Sequence, residues 1–228
     1  MILRSTQNPV STASARRVWL AAFFVAVAGF ALLSVDFLVE GPLSGMDAAI
    51  SHWIFTHHSA FSTAAMQVIT QVNGTLGTQC MLAATVLLLA VRRHVRTGIL
   101  LVLYVEGALL LNVALKLAFA RDRPALDEPL VHLSTFSFPS GHALAATVWW
   151  GGIGLLLCRM DGSKWRPGTA VAVAALLIVL TCVSRVYLGA HYLTDVLAGV
   201  CEGLAWLSLW ALMPRAFSTV APTPRLDR

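Results

Sequence analysis

Apolar residues dominate this chain in long runs, and short polar clusters interrupt them at intervals. Four runs are each long enough to cross a bilayer core of about 30 Å, which needs about 20 helical residues: Val18–Val39, Gly98–Ala120, Gly168–Val183 and Tyr192–Met213. Two shorter runs, Leu76–Val91 and His142–Cys158, span with a different tilt or with flanking polar turns added. In lipid every backbone polar group must be satisfied within its own segment, so all six are read as helices. Between the first two spans, residues 40–75 carry no Lys or Arg. Gly41-Pro42 and Ser44-Gly45 separate this stretch from the first span. Ile50, Trp53 and Ile54, then Phe61, Met66 and Ile69, recur at near-helical spacing, which predicts short helices lying on the interface. The expected fold is therefore all-α: an integral-membrane bundle of six transmembrane helices, with short interfacial helices between spans one and two. Residues 1–17 form an N-terminal cytoplasmic segment, 18–213 the membrane domain and 214–228 a loose cytoplasmic tail containing Pro214, Pro222 and Pro224.

Composition agrees with that reading. The chain is 57% hydrophobic and 12% charged, and its mean hydropathy of +0.75 excludes an ordinary soluble domain. The net charge of +5 looks at first like a surface for nucleic acid, but its distribution argues otherwise. Arg4, Arg16, Arg17, Arg92, Arg93, Arg96, Arg159, Lys164, Arg166, Arg215, Arg225 and Arg228 fall on one side of the predicted bundle. The positive-inside rule assigns that side to the cytoplasm. Of the sixteen basic residues, Lys116, Arg121, Arg123 and Arg185 alone fall on the other side. Ala26-Val27-Ala28 resembles a signal-peptide cleavage site, yet the apolar run continues to Val39, which favours an uncleaved anchor. Cys80, Cys158, Cys182 and Cys201 lie within predicted spans and read as small packing residues.

Candidate chemistry gathers in three stretches: Lys116 with Arg123-Pro124; Pro139-Ser140-Gly141-His142; and Ser184-Arg185 with His191 and Asp195. Ionisable residues near membrane depth are expensive and default to a functional reading. Lys116 and Arg123 are seven residues apart and share a face if the helix continues between them. Arg121 and Arg123 are also compatible with cations snorkelling at a helix end. Lys116, inside an apolar run, calls for an anionic partner. Ser140 is a natural N-cap, and Gly141 lets a backbone N–H approach an anion at the start of a helix, where the dipole favours phosphate. His191 and Asp195, spaced i, i+4, place a carboxylate across one turn from an imidazole. That carboxylate fixes the tautomer and makes the other ring nitrogen a better nucleophile. Arg185 brings a fork of donors to the same region. His52, His57 and His58 read as a polar face rather than a metal cluster, and Asp122, Asp127 and Glu128 as a solvated loop. Asn73-Gly74-Thr75 fits the glycosylation pattern but sits hard against the next span.

In this order and spacing the three stretches resemble the signature of the type 2 phosphatidic acid phosphatase family, whose superfamily includes vanadium haloperoxidases and glucose-6-phosphatase. The motif resemblance covers residues 116–195. It implies that His191 attacks phosphorus to form a phosphohistidine and that Asp195 orients it. His142 then protonates the leaving oxygen and activates water. Lys116, Arg123, Ser140, the Gly141 N–H and Arg185 hold the phosphoryl oxygens, with no metal and no cofactor required. The implied activity is hydrolysis of a lipid phosphate or pyrophosphate, such as undecaprenyl pyrophosphate, phosphatidic acid or phosphatidylglycerol phosphate. The expected setting is the inner membrane of a bacterium with the site on the periplasmic side, the bilayer as environment and no nucleic-acid partner. A phosphotransferase using the same site is the alternative reading, and a small transporter threading Lys116, Glu106 and Glu202 is a third. Oligomeric state is left open. Glu106, Asn112 and Glu202 fall outside the signature, as hydrogen-bonded carboxyls between helices or as a polar path. Phe136, Phe138, Trp149 and Trp150 serve either packing or the entry of a lipid tail.

Overall fold

The computed structural model describes residues 9–125, 130–131, 133–159 and 167–213. The described residues form eight helices: α1 Pro9–Leu38, α2 Pro42–Thr56, α3 Ala60–Val72, α4 Thr75–Val91, α5 Val95–Phe119, α6 Gly141–Arg159, α7 Pro167–Tyr187 and α8 Leu193–Leu212. The C-terminal segment 214–228, the acidic pair Asp127 and Glu128, and the basic connection 160–166 lie outside the described residues. Five helices (α1, α5, α6, α7 and α8) are each long and apolar enough to cross a membrane. The sixth span expected over Leu76–Val91 falls on α4, which meets α3 at a 41° bend; the two taken together satisfy the same length and composition test. α2 and α3 are the short helices expected between the first two spans. The break falls at Asn73-Gly74, and Asn73 closes α3 by donating from its amide to the Ile69 carbonyl at 2.9 Å.

The short helices have readable starts. α2 begins with Pro42 directly after Gly41, and the Asp36 carboxylate from the end of α1 accepts from the backbone N–H groups of Leu43 and Ser44 at 3.2 and 2.7 Å. α3 starts at Ser59, whose hydroxyl accepts from the Ser62 N–H. α5 stops where Ala120 adopts a left-handed conformation (φ 45°) and donates its N–H to the Lys116 carbonyl at 2.9 Å.

α6 is central, packed against both α7 and α8; α1 lies along α8, and α4 against α5. The core sits between α5, α6 and α8, with Tyr104, Val105, Ala108, Leu144, Val148, Trp149, Leu207 and Trp210 in contact. The buried Tyr104 hydroxyl donates to the Val148 carbonyl at 2.9 Å. α6 and α8 approach closely because Gly199 and Gly203 offer no side chain: a Cβ on Gly199 would lie 2.4 Å from the Ser140 carbonyl oxygen. A second cluster joins the ends of α1 and α5 through Phe30, Phe37, Phe119 and Phe138, which assigns Phe138 to packing. The outward faces remain apolar, with Val25 72% and Leu110 70% exposed. Such surfaces suit a lipid solvent, which carries no penalty for apolar exposure.

Candidate active site

All three motif stretches meet at one end of the bundle, where α5 ends, α6 begins and α7 turns into α8. Lys116 stays on α5 and donates from Nζ to the carbonyls of Phe136 and Ser137 at 2.6 and 3.2 Å. Arg123 does not share a helical face with it. The left-handed Ala120 ends the helix, and the chain runs on irregularly through Arg123. Arg123 instead wraps the segment before Pro139. Its Nε donates to the Thr135 carbonyl at 2.7 Å, its Nη2 to Thr135 Oγ1 at 2.9 Å and its Nη1 to the Ala190 carbonyl. Partial burial lowers its pKa from the ordinary arginine value.

Pro139-Ser140-Gly141-His142 opens α6 as its composition suggests. Ser140 is fully buried; its Oγ accepts from the Ala143 N–H at 3.4 Å, and its own N–H donates to the Asp195 carbonyl at 2.9 Å. Gly141 presses on α5, where an added Cβ would sit 3.0 Å from Asn112 Oδ1. The Asn112 amide in turn donates to Glu202 at 2.8 Å and to the Pro139 carbonyl at 3.5 Å. Glu202 is thus a buried carboxyl hydrogen-bonded between α8 and α5, linked through Asn112 to the Pro139 carbonyl before α6. His142 lies against the α3–α4 break: a Cβ on Gly74 would come within 3.0 Å of its Nε2. Arg185, His191, Arg123 and Lys116 are all close enough to act on the charge of His142.

His191 is 2% exposed and precedes α8 rather than lying on it. Its contact with Asp195 is therefore not made across a helical turn. The chain between α7 and α8 folds back, and the Ala190 and His191 N–H groups both donate to the Arg185 carbonyl. That turn brings Nδ1 to 3.5 Å from Asp195 Oδ2 and 3.4 Å from Ser137 Oγ. The other ring nitrogen, Nε2, faces Arg123 Nη1 at 3.4 Å. Burial drives the imidazole pKa down to about 4, against the opposing pull of Asp195. Asp195 itself is saturated: Oδ2 accepts a short hydrogen bond from Ser137 Oγ and one from the Tyr192 N–H at 2.9 Å, and Oδ1 accepts from Arg121 at 2.7 Å. Arg185 is 2% exposed and donates from Nη1 to Thr70 Oγ1 at 2.6 Å, while its buried Nε and Nη2 have no partner among the described residues. Buried donors are nearly always paired, so two orphans on one guanidinium mark a place for an acceptor.

Sequence reasoning missed the partners of these groups. Arg121 is not a snorkelling cation: it is 8% exposed and bridges Asp195 and Asp47. Ser137, Thr70 and Asp47 carry no local signal, since each reaches the site across more than fifty positions. Asn73 is buried; its Nδ2 donates to the Ile69 carbonyl and its Oδ1 accepts from Trp150 Nε1 at 2.6 Å, so the side chain is engaged in packing at the α3–α4 break. Among the described residues no three His, Cys, Asp or Glu side chains gather at metal-binding spacing.

Residues 97–218, just over half of the chain, match the family model of the PAP2 superfamily. The chain belongs to the PAP2 superfamily. Its relatives in that superfamily include phosphatidylglycerophosphatase B of Bacillus subtilis, 40% identical over 47% of this chain and 53% of the relative. The undecaprenyl-diphosphatase of Sulfolobus acidocaldarius is 36% identical over 54% of this chain and 58% of its own length. The chain thus spans little more than half the length of these two curated relatives. The crystal structure of a transmembrane PAP2-type phosphatidylglycerolphosphate phosphatase from Bacillus subtilis superimposes with a TM-score of 0.70, at 28% identity. That match covers 84% of this chain and 92% of the other. The all-helical, multi-pass membrane architecture is the one this PAP2 relative shares.

Proposed function

We propose that the protein is a membrane lipid phosphatase working through a phosphohistidine on His191. The observation that carries the reading is a buried imidazole set beside two buried guanidinium donors unpaired among the described residues. His191 is uncharged at neutral pH and presents Nε2 toward Arg123, while Nε and Nη2 of Arg185 find no acceptor among the described residues. A phosphoryl group placed there satisfies both orphans. Nε2 attacks phosphorus, the bond from phosphorus to the lipid oxygen breaks, and His142 supplies the proton to that oxygen. Water then attacks phosphorus as His142 takes its proton, the bond from phosphorus to Nε2 breaks, and inorganic phosphate leaves. Asp195 holds the Nδ1 proton through both steps. Lys116, Arg123 and Arg185 neutralise the equatorial oxygens, where phosphoryl transfer gains most from fixed positive charge, and Ser140 and the Gly141 N–H donate hydrogen bonds to them. These side chains supply the charge that a metal provides elsewhere.

A lipid substrate fits a site built at the end of a membrane bundle, and the names of the relatives favour a phosphatidylglycerol phosphate, an undecaprenyl pyrophosphate or another lipid phosphate, phosphatidic acid being the simplest of these to assay. The basic corner of Arg92, Arg93 and Arg96 lies at the opposite end of α4 and α5 from Gly74 and Lys116. By the positive-inside rule that corner is cytoplasmic. The site then faces outward from a cytoplasmic membrane, and residues 1–17 and 214–228 stay on the inner side of the 18–213 domain. Purified protein in detergent should release inorganic phosphate from one or more of these lipids far faster than from a soluble phosphate ester, and vanadate should inhibit it by mimicking the five-coordinate state. Failure to release phosphate from any lipid of the panel, or indifference to vanadate, would overturn the assignment.

A further inference from the structure

Arg121 stands apart from the cations of the phosphate cradle. Its Nη1 donates to Asp195 Oδ1 and to Thr194 Oγ1, each at 2.7 Å, and its Nη2 donates to Asp47 Oδ2 at 2.9 Å. The guanidinium lies between two aromatic rings, 4.8 Å from the centre of Phe37 and 4.4 Å from that of Tyr192. Its backbone carbonyl accepts from the N–H of Ser137, the residue whose hydroxyl also binds Asp195. Asp47 is 1% exposed, comes from α2, and accepts from the Thr194 N–H at the start of α8 as well as from the Thr194 hydroxyl. No donor of Arg121 is directed at the phosphate cradle in these contacts; its reach ends on the far oxygen of Asp195.

We propose that Arg121 and Asp47 form a positioning pair that locks Asp195 behind His191, which makes helix α2 part of the catalytic apparatus. The inference rests on the phosphohistidine reading. Arg121 occupies Oδ1 and so leaves Oδ2 as the oxygen that meets the imidazole at 3.5 Å. Asp47 anchors the other arm of the fork, and a planar fork held at both ends cannot swing. Stability alone is a poor reason for such a cluster, because desolvating three charges is expensive and an apolar substitute is often as stable. Orientation of a reacting group is a better one, since misplacement of about 1 Å can cost on the order of a hundredfold in rate. α2 also exposes Leu43, Met46 and Trp53, so a helix with an apolar exposed surface reaches His191 through one arginine.

A double-mutant cycle in purified, folded protein tests this. Arg121→Met should lower kcat by roughly tenfold to a hundredfold with KM little changed, because the cradle is untouched. Asp195→Asn should lower kcat at least as far. The double variant should be no worse than Asp195→Asn alone, since residues acting through one another do not add. Asp47→Asn keeps Arg121 on Asp195 but frees one arm, and should give a smaller kcat loss of the same kind; it serves also where Arg121→Met does not fold. Wild-type kcat in folded Arg121→Met, losses that multiply in the double variant, or a change confined to KM would overturn the proposal. Those outcomes require an active wild type. A wild type that releases no phosphate overturns the phosphatase reading instead.

Discussion

At His191 burial and charge act in opposition. Loss of water pushes its pKa down to about 4, Asp195 pulls the other way, and Arg185 and Arg123 add to the downward push. A neutral imidazole is what the proposed attack on phosphorus needs, and the neighbouring guanidinium groups of Arg185 and Arg123 favour that unprotonated form. His191→Ala should therefore abolish phosphate release, and substantial turnover by that variant would exclude the mechanism. The same burial gives the fold a pH dependence of definite sign. In the unfolded chain the imidazole titrates near its ordinary value of 6.5, so between about 6.5 and 4 the unfolded state binds more protons than the folded one. This contribution to stability is complete above pH 6.5, shrinks as pH falls through that window, and levels off below 4. Thermal midpoints in detergent should fall across this range in the wild type, and His191→Asn should flatten the decline; equal slopes in the two proteins would contradict it.

Helices position these residues less by their length than by where they stop. The left-handed Ala120 releases Arg123 from α5, the fold-back after Tyr187 places His191 ahead of α8, and Gly199 lets the start of α6 rest on α8. The last contact is testable. An added Cβ at Gly199 lies 2.4 Å from the Ser140 oxygen, 3.1 Å from Ala143 Cβ and 3.3 Å from the Leu144 N, so the two helices must separate. Gly199→Ala should destabilise the protein by about 1–3 kcal/mol and depress kcat, because Ser140 hangs from the Asp195 carbonyl at this contact. An unchanged melting temperature and rate would show that the pair yields freely. Helix ends are also where reading from sequence fell short. The spacing of Lys116 and Arg123 fits an uninterrupted helix, and that of His191 and Asp195 fits a helical turn. Neither pattern reveals that a left-handed alanine or a chain reversal intervenes. Both pairs still converge, since the motif records proximity and not the backbone path that achieves it.

For the whole molecule, the legible features are those with a local or periodic signature: apolar length for the spans and the three motif stretches for the family. Contacts of long sequence separation left no such trace. Asp47 meets Arg121 across 74 positions, Thr70 meets Arg185 across 115, and the bend between α3 and α4 became visible only with the two packed beside α7 and α5. The orientation proposed from charge placement can be measured directly. The α2–α3 corner at Ser59 lies on the site's side, held by the Tyr187 hydroxyl at the end of α7, whereas Arg93 turns the chain between α4 and α5 at the other end. In a background with the four native cysteines replaced, Ser59→Cys should react with an impermeant maleimide added to intact cells, and Arg93→Cys should react only after the membrane is opened. The reverse pattern would place the site in the cytoplasm. It would also set the twelve basic residues on the outer face, against the bias that governs short loops. Labelling of both positions from outside would instead mean that α4 and α5 do not cross as a pair. Then the bent α3–α4 unit could not serve as the sixth span.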